Sequence, residues 1–249
     1  MSLSPRTPSQ LELMRKSGVI TASALKAVLK AVKPGISLLE LESIARSEIV
    51  KLGGSPSFMT VSGYSWATCL TVNNEVVHGI PSEGKVLQDG DVVAIDMGLI
   101  HGGLITDSAV TVVVGAGDEA ALKLADITKK ALQKGIEAVK PGNTVGDIGY
   151  AIEQFVKPFG YGHAEGLAGH GVGYKVHEDP FVPNTGKKGD GEELRPGMVI
   201  AIEPMLNEGT GKVVFDKDGY TVRTKDGKRS AHFEHTVAVT ENGHIVLTA

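Results

Sequence analysis

Apolar residues return every three or four positions across residues 9–32 and again across 38–52, which predicts two amphipathic helices in succession. Ser37 stands where a hydroxyl can accept from the free amides of the second helix's first turn. The pattern recurs over residues 118–139 and 145–159, with Asp118 and Thr144 at the capping positions. Elsewhere the period changes. Residues 91–100, 104–114, 198–207, 219–224 and 233–240 are β-branched or alternating and bounded by glycine turns, so they read as strands. Residues 184–196 form a polar, glycine-rich loop.

The chain repeats itself. Ala31-Val32-Lys33-Pro34-Gly35 returns as Ala138-Val139-Lys140-Pro141-Gly142, an offset of 107 residues, and each copy precedes a predicted helix. The stretch from Leu87 to Asp96 aligns with the stretch from Leu194 to Glu203 at the same offset of 107. Two matches at one offset point to duplicated halves, approximately 9–117 and 118–249, related by a pseudo-twofold axis. Each half is small and no Pro/Ser-rich linker separates them, so residues 1–249 are expected to form a single domain with its site between the halves.

Carboxylates end the most apolar strands. Asp96 follows Val92-Val93-Ala94-Ile95, and Asp107 opens the run to Val114. A turn centred on His101-Gly102 would set the two aspartates directly opposite one another, where like charges repel. A shared proton or a bound divalent cation would offset that repulsion; two solvated hairpin aspartates are the plainer reading of the pair alone. The second half tips the balance, because Glu203 takes the place of Asp96 and Glu234 begins a strand much as Asp107 does. His170 lies among three glycines in Gly169-His170-Gly171-Val172-Gly173, where backbone can approach a ligand closely. Asp96, Asp107, His170, Glu203 and Glu234 are therefore the candidate ligands. Such a set suits two first-row metals about 3.5–4 Å apart, and with them hydrolysis. His78 and His177 could bind substrate or steady an oxyanion, or sit behind the ligands.

Composition narrows the setting. With 249 residues, 41% apolar and 22% charged, and a mean hydropathy of +0.02, the chain reads as globular and neither disordered nor membrane-embedded. A net charge of −4 gives no electrostatic reason to expect nucleic acid or an anionic membrane as partner. Cys69 is the single cysteine, which excludes a disulfide framework or a cysteine-rich zinc site and makes a reducing cytoplasm the expected location. Thirty-two glycines and 5% aromatics favour a loop-rich α/β or α+β enzyme over a helical bundle.

The order Asp96, Asp107, His170, Glu203, Glu234 resembles the metal set of the methionine aminopeptidases, in the pita-bread family that also holds prolidase and aminopeptidase P. Val77-His78-Gly79-Ile80-Pro81, His177-Glu178-Asp179-Pro180, Ile202-Glu203-Pro204 and Phe233-Glu234-His235-Thr236 belong to the same likeness, which covers nearly the whole chain. His235 and the early start of the first repeat resemble the short bacterial-type (type I) form. The resemblance implies an α+β pita-bread fold of two symmetric halves, with antiparallel strands forming the central site and helices outside. It implies two divalent ions (Mn, Fe, Co or Zn), with Asp96 on one, His170 and Glu203 on the other, and Asp107 and Glu234 bridging. Glu203 is then also a general base, and His78 and His177 touch substrate. Phe58, Tyr64, Cys69, Val176 and Tyr220 match the pocket for the Met side chain, with Val176 and Tyr220 standing where relatives carry Phe and Trp.

The implied activity is removal of an N-terminal Met from nascent proteins when the second residue is small. The implied partners are nascent N-termini and, transiently, the ribosome; no membrane and no specific nucleic acid are expected, and a monomer is. An Xaa-Pro aminopeptidase or prolidase-like peptidase and a non-catalytic binding relative of the same fold are the rival readings.

Overall fold

In the computed structural model, which describes residues 5–82 and 84–249, four α-helices flank an antiparallel sheet system. Helix α1 (Pro8–Ala31) starts one residue before the sequence reading, because Thr7 and Gln10 form a reciprocal cap and Pro8 occupies a first-turn position that needs no amide donor. Helix α2 (Leu38–Lys51) is capped by Ser37 and Glu40 in the same way. Helix α3 (Glu119–Glu137) begins at Asp118, whose carboxylate accepts from Ala121 N at 2.7 Å. Helix α4 (Val145–Val156) stops short of Phe159; Pro158 lacks an amide, and Lys157–Phe159 tightens into a 3-10 turn.

The repeat is visible in the hydrogen bonds. Gly35 N donates to Leu87 O at 2.8 Å, and Gly142 N donates to Leu194 O at 3.0 Å, each pair being displaced from the other by the same 107 residues. The isolated bridges Ser37–Val86 and Thr144–Glu193 obey that shift. So do the starts of α2 and α4 and those of strands Val92–His101 and Val199–Ile202. Each half has its own core. Leu38, Leu41, Ile49, Ile95 and Leu99 centre the first, and Leu124, Ile148, Ile152, Ile200 and Val237 the second.

One nine-stranded sheet carries both halves. Its main path runs Ser55–Pro56, Val92–His101, Leu104–Val113, Glu234–Thr240, Val199–Ile202, Gly169–Gly171 and Glu178–Val182, all antiparallel. Thr68–Val72 pairs beside Val92–His101, and Gly243–Val246 beside Glu234–Thr240. The expected strand 198–207 is broken between Ile202 and Met205, where Pro204 cannot donate to a ladder. The expected strand 219–224 shrinks to Val222–Thr224, because the Asp218 carboxylate holds Tyr220 N and Thr221 N in a turn. No helix among the described residues is long and apolar enough to cross a membrane.

The hairpin of Val92–His101 and Leu104–Val113 corrects the expected register. His101 pairs with Leu104 across Gly102-Gly103, so Asp107 faces Gly98 and Asp96 faces Ala109. Gly102 and Gly103 have φ of 59° and 79°, the left-handed pair that a two-residue turn matching strand twist requires. The aspartates are thus diagonal neighbours on one face rather than directly opposed. A shift of two residues preserves the face. Nothing lies within 4 Å of a side chain added at Gly103, so Gly103→Ala isolates the conformational cost of φ > 0. It should destabilise by about 1–2 kcal/mol, read as a lower urea midpoint with unchanged slope.

Candidate metal centre

The sheet sets four carboxylates side by side. Ala109 pairs with Asp96 on one neighbouring strand and with Glu234 on the other. Glu203 lies one step beyond the His235–Ile202 pair, so it continues the same row. Asp107, two residues from Ala109, shares that face. The methyl group of Ala109 leaves open the space over which the longer acidic side chains converge. Among these groups, donor atoms of Asp107, His170 and Glu234 all lie within 4.8 Å of one another.

His170 arrives from the short strand Gly169–Gly171, packed between Glu178–Val182 and Val199–Ile202. A side chain at Gly171 would meet Asp179 O at 2.0 Å, so only glycine lets this strand sit so close. His170 Nδ1 is 2.9 Å from Gly171 O. A carbonyl can only accept, so Nδ1 carries a proton and Nε2 is the nitrogen turned to the cavity. Nε2 lies 3.3 Å from Glu203 Oε1 and 3.8 Å from Asp107 Oδ2. Thr236 Oγ1 accepts the Asp107 N–H at 3.0 Å and lies 3.0 Å from Asp107 Oδ1, fixing that carboxylate. Asn184 Nδ2 donates to Glu203 O at 3.0 Å.

Burial shapes the protonation of the whole cluster. It pushes Asp96 up to about 8, opposed by His232 and aided by Asp107 and Glu203. It pushes Glu203 up to about 8, opposed by His170 and aided by Asp107. Asp107 and Glu234 are raised by the same cause. Burial lowers His78, with His232 and His170 adding to the effect, and lowers His177 to about 4 with help from His170 and His78. Asp96 Oδ1 is buried with no hydrogen-bond partner. An orphaned anionic oxygen within a set of hard oxygens and one imidazole fits divalent metal, which would satisfy the oxygen and neutralise the charges together.

A cavity of about 140 Å³ brings all twelve residues named from the sequence together. Asp96, Asp107, His170, Glu203 and Glu234 border it beside Phe58, Tyr64, Cys69, Val176 and Tyr220, with His78 and His177 also on its wall. Tyr64 and Tyr220 meet edge-on at 5.4 Å. The Tyr64 hydroxyl donates to Thr68 O at 2.8 Å, so its polar end is satisfied within the wall. Cys69 is held as a thiol, its pKa raised by burial, which suits lining rather than nucleophilic attack. A wider outer cavity of about 720 Å³ shares His78, His170, His177 and Glu203 and opens from this pocket.

Three contributors were not legible. Val61 and Val77 complete the wall. His232, 2% exposed, lies with Nε2 3.3 Å from Glu203 Oε2. Its signal was its spacing, since His232, Glu234 and Thr236 follow one another at the period of a strand face.

A curled antiparallel sheet that buries a carboxylate and imidazole donor set between two repeated halves defines a metal-dependent hydrolase. The profile described as "Metallopeptidase family M24" matches residues 12–241, and the chain belongs to that family. It is 47% identical to the methionine aminopeptidase of Aquifex aeolicus (strain VF5), over 100% of this chain and 99% of that relative. It superposes on the crystal structure of methionine aminopeptidase from Thermotoga maritima with a TM-score of 0.97, at 44% identity and 99% coverage of both chains. The prolidase from Pyrococcus furiosus shares the fold at a TM-score of 0.81 and 26% identity, covering 98% of this chain and 65% of that one. The fold is therefore the pita-bread α+β architecture, and the protein is a metal-dependent peptidase.

Carboxylates that hold protons at neutral pH must release them to bind a cation. Titrating Mn²⁺ into metal-free protein at pH 7, in buffers of differing ionisation enthalpy, should show net proton release, and affinity should rise as pH climbs towards about 8. The sign for stability is opposite. From about pH 7.5, above the range in which histidines of the unfolded chain titrate, to about 8, folded metal-free protein binds more protons than unfolded chain, so its Tm should fall as pH rises.

Proposed function

We propose that the protein is a dinuclear-metal methionine aminopeptidase that removes the N-terminal Met of nascent proteins when the second residue is small. The carrying observation is a single pocket of about 140 Å³ with metal donors on one wall and apolar side chains on the other. Such a volume takes one unbranched side chain and leaves the scissile bond against the donors. Asp96, Asp107, His170, Glu203 and Glu234 would hold two ions from among Mn, Fe, Co and Zn. Bound there, divalent ions polarise a carbonyl and make water acidic enough to react at neutral pH.

The chain's own groups do the rest. Glu203 takes the proton of the attacking water and delivers it to the leaving amine. His78 and His177 are kept neutral, so each retains an N–H to donate to the oxygen on which charge develops. Phe58, Tyr64, Cys69, Val176 and Tyr220 grip the Met side chain, while the following residues run out through the outer cavity. Both halves, approximately 9–117 and 118–249, act as one catalytic domain, because Asp96 and Asp107 come from the first and His170, Glu203 and Glu234 from the second.

Full-length likeness to methionine aminopeptidases favours this reading over an Xaa-Pro peptidase on the same scaffold. A complete donor set favours it over a non-catalytic binding relative. We place the protein in the cytoplasm as a monomer, acting on nascent chains through transient ribosome association. The net charge of −4 supports the absence of a specific nucleic-acid partner.

Metal-stripped protein should release Met from Met-Ala-Ser only on addition of Mn²⁺ or Co²⁺ and should leave Ala-Pro-Ala uncut. Glu203→Ala should lower kcat by about 10²–10⁴-fold. Metal-loaded wild-type protein that cleaves no amino-terminal peptide would overturn the assignment; preference for Ala-Pro-Ala would move it to the proline-directed peptidases. Val176→Phe should fill the pocket and raise the kcat/KM ratio of Met-Ala-Ser over Leu-Ala-Ser, by up to about tenfold.

A further inference from the structure

The loop that carries Val176 and His177 is tied to the segment ahead of α1 by one buried cation. Arg6 has a side chain only 4% exposed, although it lies some 170 residues away in sequence. Its Nη2 donates to Val172 O at 3.2 Å and to Glu178 Oε2. The other oxygen of Glu178 accepts Tyr174 N at 2.6 Å and Lys175 N at 2.8 Å. One carboxylate thus gathers the turn, and one guanidinium holds that carboxylate. The guanidinium carbon also lies 4.1 Å over the Tyr174 ring, whose hydroxyl accepts from Gln10 Nε2 at 2.6 Å. Arg6 N in turn donates to Gly197 O at 2.7 Å, anchoring the clamp to the second half. Gly173 has φ of 150°, and a side chain there would come within 2.5 Å of Arg6 Nη2, so the loop is shaped around the guanidinium.

We propose that Arg6 is a positioning residue for substrate: through Glu178 it sets the loop that brings Val176 to the side-chain pocket and His177 to the scissile bond. This rests on the assignment of that pocket to Met. Arg6 hydrogen-bonds no metal donor; it borders the outer cavity with Tyr174, Lys175 and Glu178, away from the inner pocket that takes the side chain. The donors sit on or beside the central sheet, whereas the loop between Val172 and Glu178 has few backbone bonds of its own: Gly173 N to Lys175 O at 3.2 Å and Gly173 O accepting Ile105 N at 2.7 Å. Loss of the guanidinium frees the pocket wall and leaves the donors in place. Nη2 donates to both Glu178 and the carbonyl of Val172 while the planar guanidinium lies over the Tyr174 ring, a stacking that a compact ammonium does not reproduce.

The test uses the full chain loaded with Mn²⁺ and compares wild type, Arg6→Ala and Arg6→Lys, with Glu178→Gln as a second route to the same break. Arg6→Ala should lower kcat/KM for Met-Ala-Ser by about 10–100-fold. It should also lower the ratio of Met-Ala-Ser to Leu-Ala-Ser turnover, which does not depend on the fraction of protein folded. Arg6→Lys should fall between, and methylguanidinium should restore the ratio in Arg6→Ala. Wild-type protein inactive on both peptides would overturn the Met assignment and this inference with it. Wild-type release with an unchanged ratio in both Arg6→Ala and Glu178→Gln would overturn the clamp alone. So would a loss of Mn²⁺ affinity by about 10–100-fold, the mark of a group that supports metal donors instead.

Discussion

Four carboxylates closing on one buried cavity is the constraint on which the structure turns. No Lys or Arg borders the inner pocket among the described residues, and burial holds His78 and His177 on its wall below the ordinary histidine value. Charge balance must therefore come from protons or from cations. Burial, aided by the neighbouring carboxylates, lifts Asp96 and Glu203 to about 8, which is the fold retaining protons in place of positive charge. A divalent ion relieves the same repulsion without a proton and satisfies the orphaned Asp96 Oδ1. What makes the empty arrangement costly is what makes it selective for metal.

The fold enforces this arrangement by duplication. Each half supplies a run of four apolar residues, Val92–Ile95 or Val199–Ile202, followed by an acid, Asp96 or Glu203, placed by the same Lys-Pro-Gly turn and the same capped helix. The two strands meet through Leu104–Val113 and Glu234–Thr240, which add Asp107 and Glu234. Ala109 at the middle of the row is as much a part of the design as the acids, since any larger side chain would stand between them. The acids cannot swing away, because backbone pairing on both sides of the central strands fixes where each Cβ points.

Much of this was legible. Helical periods and the capping residues Ser37, Asp118 and Thr144 follow from local pattern, because each depends on near neighbours in the chain; the repeat and the candidate donors are legible only by comparing stretches 107 residues apart. The hairpin register was not legible, since His101-Gly102-Gly103 admits two turns and only strand twist selects Gly102-Gly103. The error shifted Asp107 by two residues and so kept it on the correct face. Short strands such as Gly169–Gly171 carry too few residues for a period to show. His232 and Arg6 were hidden for a different reason: their partners, Glu203 and Glu178, are brought by the tertiary fold, so even the alternation of His232 with Glu234 and Thr236 does not say what His232 meets.

Chemistry and selectivity are therefore built on different supports. The donors stand on or next to central strands whose amides are paired on both flanks. The walls of the side-chain pocket hang from lighter elements: Phe58 from a single 3-10 turn, Val176 from the clamped loop, Tyr220 from a turn that the Asp218 carboxylate holds. A substitution at Val176 or Tyr220 repacks a loop without moving the strands that carry the carboxylates. Catalysis demands sub-ångström placement and receives the sheet. Recognition of one flexible, apolar side chain tolerates adjustment and is left to segments that can be changed one residue at a time.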